Sequence, residues 1–477
     1  MGAGLNHDEH QFIAPGALLS RDGLLPFRDY PIFHLQNLSF VYAALDRLSS
    51  HFILATKSFS VLCATMVATL IAGVCARNAN GRWRFGLPAI LLVMLFCDPL
   101  FASTSGKTWN HDFPTFWTVA ALVCMVETQA RESLWLAALA GLAMGMAIGT
   151  RLTFAPVVIP LCLAPFVFPM PWSRRLRFAL TAALGAGIAL LPTLWLWALS
   201  PDQFVFDNLQ FPRLRLLDPM DTRVHKTITL WRKVRFFFKE VVFSSWPIFL
   251  AYALSSFRAI GRSLRAPSLY FGSLLVAATL PFVLAGCFAP SRYQYQHYFA
   301  FIPLMALGAA YGSKELVANG ATIRYALLIL LAVFSIVLNI RGTEKGGYAW
   351  IGELGRPAKW FPMRAHLLGQ KIRSLVPAGK VLTLAPAWPI EAGLDIYPEF
   401  ANGPFAWRSA HLLDATKRAQ FRIVAPEDLD GFLARDPPSS VLTGFEPDEL
   451  EQPLRHYAER NGYTRVELGK DRLLWVR

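Results

Sequence analysis

Apolar runs of membrane-crossing length recur along most of the chain, separated by short polar or charged connections. A hydrocarbon core of about 30 Å needs roughly 20 apolar helical residues, fewer where Ser, Thr or a terminal charge reaches the interface. By that measure the pattern predicts ten membrane helices: 58–76, 85–102 (interrupted by Asp98), 113–126, 134–150, 152–173, 178–201, 241–257, 266–291, 293–313 and 325–340. Before them, Leu35, Leu38, Tyr42 and Leu45 step by 3, 4 and 3, one apolar stripe on a helix too short and too mixed to span. Such a helix lies along the interface.

After the last run the pattern changes. Segments 380–386, 439–444, 463–468 and 472–477 read as short strands, with helices predicted over 408–420 and 448–461. The chain divides accordingly into residues 1–51 (a first loop with the interfacial helix), 52–341 (the membrane region, with a large loop at 202–240) and 342–477 (a small α/β domain). The tail has no Gly-rich phosphate loop and no nucleophile elbow, which points to support or acceptor docking rather than chemistry. The expected class is a polytopic α-helical membrane protein with a small C-terminal extracytoplasmic α/β domain.

Composition agrees: 54% of residues are hydrophobic and only 16% charged, with a mean hydropathy of +0.37, too little charge to cover a soluble protein of this size. The charge is unbalanced, 46 Lys+Arg against 32 Asp+Glu for a net +14. If the connections alternate sides, one set, from Arg77 to Arg324, carries twelve cations, and the opposite short connections carry only Lys107, Arg151 and Arg292. Positive loops stay in the cytoplasm, so residues 1–51, the 202–240 loop and the tail are expected on the outer face of the membrane. A nucleic-acid role is excluded by the same distribution. All six cysteines fall within predicted spans, which argues against an extracytoplasmic disulfide framework.

Ionisable residues cluster at the outer ends of the spans. Asp8-Glu9-His10 opens the first loop, Asn110-His111-Asp112 precedes the third span, Arg151 separates the fourth and fifth, and Arg292-Tyr293-Gln-Tyr-Gln-His297 opens the ninth. Adjacent acids at a helix start have an ordinary explanation in the helix dipole. Charge at membrane depth is expensive, however, and marks functional paths. A carboxylate can take a proton from an acceptor hydroxyl, and cations can stabilise a departing phosphate. The outer face normally lacks nucleotide sugars, so an enzyme there needs a donor such as a polyprenyl-phosphate sugar.

Asp8-Glu9-His-Gln-Phe-Ile-Ala, followed by Gly23-Leu-Leu-Pro-Phe-Arg-Asp29 and an amphipathic helix, resembles the first extracytoplasmic loop of the GT-C superfamily of integral membrane glycosyltransferases. The branch it is most similar to contains bacterial protein mannosyltransferases and lipid A aminoarabinose transferases. Asn110-His111-Asp112 and Gly149-Thr-Arg151-Leu-Thr are similar to recurrent features of that branch. The resemblance implies an inverting transferase with Asp8 as catalytic base and Glu9 positioning the acceptor or assisting. It places His111 and Asp112 in the same cavity and makes Arg151 and Arg292 candidates for the donor phosphate. Tyr293 and His297 belong to that substrate-binding set, and Arg28, Asp29 and His34 shape the loop. Two features depart from the family pattern. A first membrane helix normally precedes the acidic loop, whereas seven residues precede Asp8, so the first family helix is expected to be missing; and Leu35-Gln36 stands where related loops often carry a Pro.

Some members bind a divalent ion at this loop, and His7, Asp8 and His10 are chemically able to do so; the commoner reading of interface histidines, ordinary hydrogen bonding, is preferred. Arg213, Arg215, Arg223, Lys226, Arg232, Lys233 and Arg235 form a basic run in the large loop, suited to anionic head groups or to the donor phosphate. Tyr293, Tyr295 and Tyr298 could stack on a sugar or belong to the interfacial aromatic belt. The expected partners are thus a polyprenyl-phosphate sugar, a lipid, glycan or protein acceptor, and membrane lipids. A flippase for a lipid-linked sugar would use the same cations without Asp8, but the internal repeat common in transporters is not evident. An inactive homologue would follow from real loss of the first helix.

Overall fold

The computed structural model describes residues 4–79, 81, 83–215, 229–263, 266, 268–290, 294–318, 322–342, 351–469 and 471–477. Two helices open the chain, α1 (His7–Arg21) and α2 (Asn37–Leu48). The membrane region follows with α3 (Phe52–Asn78), α4 (Trp83–Phe96), α5 (Pro99–Thr104), α6 (Asp112–Arg131), α7 (Leu134–Ile148), α8 (Val158–Leu163), α9 (Trp172–Leu199), α10 (Pro201–Val205), α11 (Phe211–Leu214), α12 (Leu230–Phe236), α13 (Trp246–Ser263), α14 (Phe271–Phe288), α15 (Phe301–Ala318) and α16 (Thr322–Gly342). The tail holds α17 (Phe361–Leu375), α18 (Ala387–Glu391), α19 (Pro404–Ser409), α20 (Ala415–Gln420), α21 (Leu429–Leu433) and α22 (Asp448–Arg460) around a five-stranded sheet.

A helix answers each predicted span, but fewer than ten are long and apolar enough to cross a bilayer on their own. Among the described residues four are, Phe52–Asn78, Trp172–Leu199, Phe271–Phe288 and Ile323–Ile340, and a fifth arises if Leu230–Val242 and Trp246–Ser263, bent by 88°, form one broken span. The interruptions have local causes. Asp98 ends one segment and starts another, because its carboxylate caps α5 by accepting the Leu100 and Phe101 N–H groups at 2.9 and 3.0 Å. The predicted 152–173 span breaks into 3₁₀, α and 3₁₀ pieces over Leu152–Val167, where Pro156, Pro160 and Pro165 remove backbone donors. The predicted 293–313 span starts late, with α15 at Phe301 behind a 3₁₀ turn at Tyr295–Tyr298.

Helices α7 and α9 approach closely along small residues. A Cβ added at Gly141 would run into the Ala182 carbonyl oxygen, and one at Gly145 would meet Ala186. Apolar driving force between helices vanishes in lipid, so close backbone packing of small residues takes over. On the other face of α9, Leu180, Leu184, Ile188 and Leu191 are exposed at spacings of 4, 4 and 3, a stripe that suits lipid.

The sheet runs β2-β1-β3-β5-β4, with β1 (Lys380–Leu382), β2 (Asp395–Ile396), β3 (Ser440–Thr443), β4 (Thr464–Gly469) and β5 (Arg472–Val476). Its first three strands are parallel and the β3–β5–β4 part is antiparallel. The buried central strand alternates: Val441 faces Leu454, Tyr457 and Ala458 of α22, whereas Leu442 joins a core containing Phe12, Ile13 and Ala14 of α1. The tail and the first helix therefore share a core. Polar ties reinforce this: Glu391 of α18 accepts the Ile53 N–H at the start of α3 at 2.7 Å, and Asn402 donates to the Pro31 carbonyl at 2.6 Å. The predicted 408–420 helix is two, Pro404–Ser409 and Ala415–Gln420, because Asp414 starts the second as an N-cap. Strand β2 and helix α18, two and five residues long, are too short to show a period, and α17, whose buried Pro362, Ala365, Gly369 and Ile372 step by 3, 4 and 3, is a further element that the sequence reading did not include.

Gly141→Leu is expected to destabilise the chain by about 1–3 kcal/mol through overpacking, read as a lower unfolding midpoint in detergent. Gly187→Leu, on α9 with open space around its Cα, should leave the midpoint nearly unchanged.

Candidate active site

Helix α1 begins where Asn6 can cap it. The Asn6 side chain accepts the Asp8 N–H at 3.2 Å, and Glu9 reaches back to accept the Asn6 N–H at 2.7 Å, a reciprocal capping box. Successive residues on a helix are rotated by about 100°, so the two acids meet opposite surroundings. Asp8 faces a cavity, partly buried, with His7 Nε2 at 3.5 Å from its carboxylate. Glu9 turns into the protein and is 0% exposed; it pairs with Lys57 of α3, 1% exposed, at 2.9 Å, and accepts the Thr108 N–H at 2.6 Å. Burial by itself would raise the Glu9 carboxyl, but the Lys57 ammonium and the Asn6 and Thr108 N–H groups hold it below the usual carboxylate value.

The cavity facing Asp8 has a volume of about 380 Å³ and gathers side chains from distant parts of the chain. Its walls include Gln11 and Phe12 of α1, His34, the Trp109-Asn110-His111 segment, Arg151, Arg213 in α11 and Arg215 just after it, Gln296 and His297, and Phe405 from the tail. Arg151 donates to His111 Nδ1 at 2.7 Å, while Trp109 meets the His111 ring edge-on at 4.7 Å. Burial, then the Arg151 charge, pushes His111 well below the ordinary imidazole value, and burial with Arg151 and Arg215 pushes His34 down to about 3. Both rings are therefore neutral at pH 7, and Arg151, Arg213 and Arg215 supply the cavity with fixed positive charge. Arg215 lies over the Phe405 ring at 4.9 Å. Asn110 Nδ2 is buried without a partner among the described residues and belongs to the cavity wall, a donor waiting for an acceptor.

Gly149, in the Gly149-Thr-Arg151 sequence, owes its small size to packing. A Cβ there would strike the Asn37 amide, whose N–H groups serve as ties: the backbone one donates to Gly149 O at 2.9 Å and the side-chain one to Ala189 O at 3.2 Å. The start of α2 thus fixes the end of α7, and with it Arg151.

Eight of the residues singled out in the sequence come together here: Asp8, His34, Asn110, His111, Arg151, Arg213, Arg215 and His297. Glu9, Asp112 and Arg28 do not line the cavity. Glu9 is consumed by Lys57, Thr108 and Asn6, which makes it a positioning residue rather than a group in reach of substrate. Asp112 turns back to accept Ser105 Oγ at 2.9 Å and Gly106 N–H at 2.8 Å, closing the loop that carries His111. Arg28 is exposed and paired to its neighbour Asp29 at 2.7 Å. Arg292 and Tyr293 lie outside the described residues, as do Arg223 and Lys226 of the basic run. Among the described residues no group of three or more His, Cys, Asp or Glu could hold a metal; His7 is exposed and His10 buried, so His7, Asp8 and His10 do not form a donor set. Sequence reasoning missed Lys57, whose signal was present: a lysine on an apolar helix, hidden because the span was started one residue too late.

No family profile and no curated protein matches the chain in sequence. Solved structures match its fold. ArnT from Cupriavidus metallidurans aligns in its apo state with a TM-score of 0.56 at 12% identity, over 100% of this chain and 94% of that one. Its complex with undecaprenyl phosphate gives 0.59 at 13%, over 99% and 94%. The Archaeoglobus fulgidus oligosaccharyltransferase in its apo form gives 0.53 at 11%, over 92% of this chain and 66% of that one. The chain has the GT-C glycosyltransferase fold. This agrees with the fold class expected from the first-loop motif and the apolar pattern, and the four described helices long and apolar enough to cross a bilayer support an integral membrane protein.

Removing one member of a buried ion pair leaves the other uncompensated and typically costs about 3–5 kcal/mol. Glu9→Gln and Lys57→Met should each destabilise strongly, and the double variant should recover much of the loss in detergent unfolding. A double variant no more stable than the singles would show that the pair does not act as a unit.

Proposed function

We propose that the chain is an inverting glycosyltransferase that moves a sugar from a polyprenyl-phosphate donor to a hydroxyl of a lipid, glycan or protein acceptor. The observation that carries this reading is the sharing of one cavity by the Asp8 carboxylate and the Arg151, Arg213 and Arg215 cations. The GT-C fold supports it, as does the undecaprenyl phosphate bound to ArnT, a protein of the same fold. In this reading Asp8 takes the proton of the acceptor hydroxyl. The freed oxygen attacks the anomeric carbon on the face opposite the phosphate, the carbon–oxygen bond to the phosphate breaks, and the configuration inverts. Arg151, held by His111, stabilises the negative charge on the departing lipid phosphate, and Asn110 Nδ2 is placed to donate to a substrate oxygen.

The twelve-to-three division of short-loop cations argues for an outer, periplasmic placement of this cavity in a bacterial inner membrane, with residues 342–477 as a separate domain on the same side. Acceptors there would belong to the cell envelope, and mannose or aminoarabinose are the sugars that the branch resemblance suggests. Among the described residues no donor set for a metal is assembled, and no step is routed through one.

Asp8→Asn is expected to abolish sugar transfer from a polyprenyl-phosphate sugar in membranes while leaving protein abundance unchanged. Full transfer by that variant would remove Asp8 from the mechanism, and lipid translocation without a new glycosidic bond would replace the transferase with a flippase. Arg151→Gln should raise the donor KM more than the acceptor KM; equal effects on both would count against phosphate binding.

A further inference from the structure

A second cavity, of about 660 Å³, lies at the other end of α1 between the α1–α2 pair, α17 and α18. It shares no wall residue with the first. Asp8 and Arg21 are thirteen residues apart on one helix, about 20 Å at 1.5 Å per residue. Three arginines line it, Arg21, Arg47 and Arg373, together with two carboxylates, Asp46 and Glu391.

The carboxylates are already engaged. Asp46 receives Arg21 at 2.6 and 2.9 Å, and the Ser20 hydroxyl as well. Glu391 accepts the Ile53 N–H at 2.7 Å with one oxygen and faces His366 at 2.8 Å with the other. Arg47 and Arg373 have no carboxylate partner among the described residues. Arg47 donates only to the Ser20 carbonyl, at 3.4 Å, and Arg373 only to the Gly393 carbonyl, at 3.0 Å. A guanidinium carries five N–H donors, so most of theirs are unspent, beside the Ser49 and Ser50 side chains on the same wall.

Position says what would bring the anion. Helix α3 starts at Phe52, directly after the Ser49-Ser50-His51 segment, and its apolar membrane-length run begins at Ser58, so the cavity lies about 9 Å of helix ahead of that run. Next to Arg47 on α2, Leu48 is 81% exposed, and next to His366 on α17, Leu367 is 59% exposed. Arginine heads over exposed leucines suit a ligand with a charged head and an apolar tail. We propose that this cavity binds the phosphate of an anionic lipid head group through Arg47 and Arg373, with the acyl chains passing along Leu48 and Leu367. A bound lipid there would brace α1, the helix that carries Asp8 at its far end, against α17.

The test uses the purified full chain in neutral detergent, with phosphatidylglycerol, phosphatidylcholine or inorganic phosphate as the probe, read by thermal unfolding and by native mass spectrometry. Phosphatidylglycerol should raise the unfolding midpoint and remain bound, and phosphatidylcholine should do neither. The effect should disappear in R47Q/R373Q and persist in part in R47K/R373K, which keeps the charge; both arginines are exposed, so neither variant should impair folding. An undiminished phosphatidylglycerol effect in R47Q/R373Q, or an equal effect of phosphatidylcholine, would overturn the proposal. Inorganic phosphate reproducing the whole shift would uphold the anion site and overturn its assignment to lipid. Sugar transfer is not read in this experiment, so its outcome is independent of the transferase reading.

Discussion

The buried pair of Glu9 and Lys57 is the constraint on which the site depends. Two ions removed from water need nearly complete compensation, and here it comes from three separate segments: the Asn6 N–H ahead of α1, the Lys57 ammonium on α3 and the Thr108 N–H in the loop before α6. Satisfying one carboxylate therefore fixes three backbones against one another. Thr108 is followed at once by Trp109, Asn110 and His111, so the loop that forms a wall of the cavity is held by the same contact that orients α1. With Glu9 turned inward, helical geometry leaves Asp8 facing the cavity.

Helix α1 acts as a beam between the membrane helices and the tail. Its apolar residues between Phe12 and Leu18 are buried in a core that reaches Leu442 and Leu474 of the sheet. The tail contributes to the cavity itself through Phe405, beneath Arg215, which exceeds the supporting role expected from its lack of nucleotide or nucleophile motifs. The cations of the site come from segments with different jobs. Arg151 sits on a break between apolar helices, braced by His111 and indirectly by Asn37, while Arg213 and Arg215 extend from the short α11.

Legibility in the sequence followed the range of the forces involved. The apolar runs were plain, because lipid demands long apolar surfaces and internally bonded backbone from any segment that enters it. Their breaks at Asp98 and at Pro156, Pro160 and Pro165 were visible as residues but not as consequences, since a capping aspartate and a loop aspartate look alike without their partners. Amphipathic α2 was readable by its stripe. Helix α1 was not, since it is buried nearly all round and shows no face. The same holds for Asp8 and Glu9, neighbours of one chemical type whose environments differ only through contacts made 48 and 99 residues away.

Hydropathy and local periodicity, which act within one or two turns of chain, were enough to read a helical membrane protein with a small α/β tail, while the GT-C fold was legible only through the resemblance of the first-loop motif. Only the tertiary structure decided which ionisable residues share a cavity. Asp8, His34, His111, Arg151 and His297 are scattered along the chain, and whether a charge faces a cavity, a partner or solvent depends on desolvation and on pairing with distant segments. No local pattern records those terms.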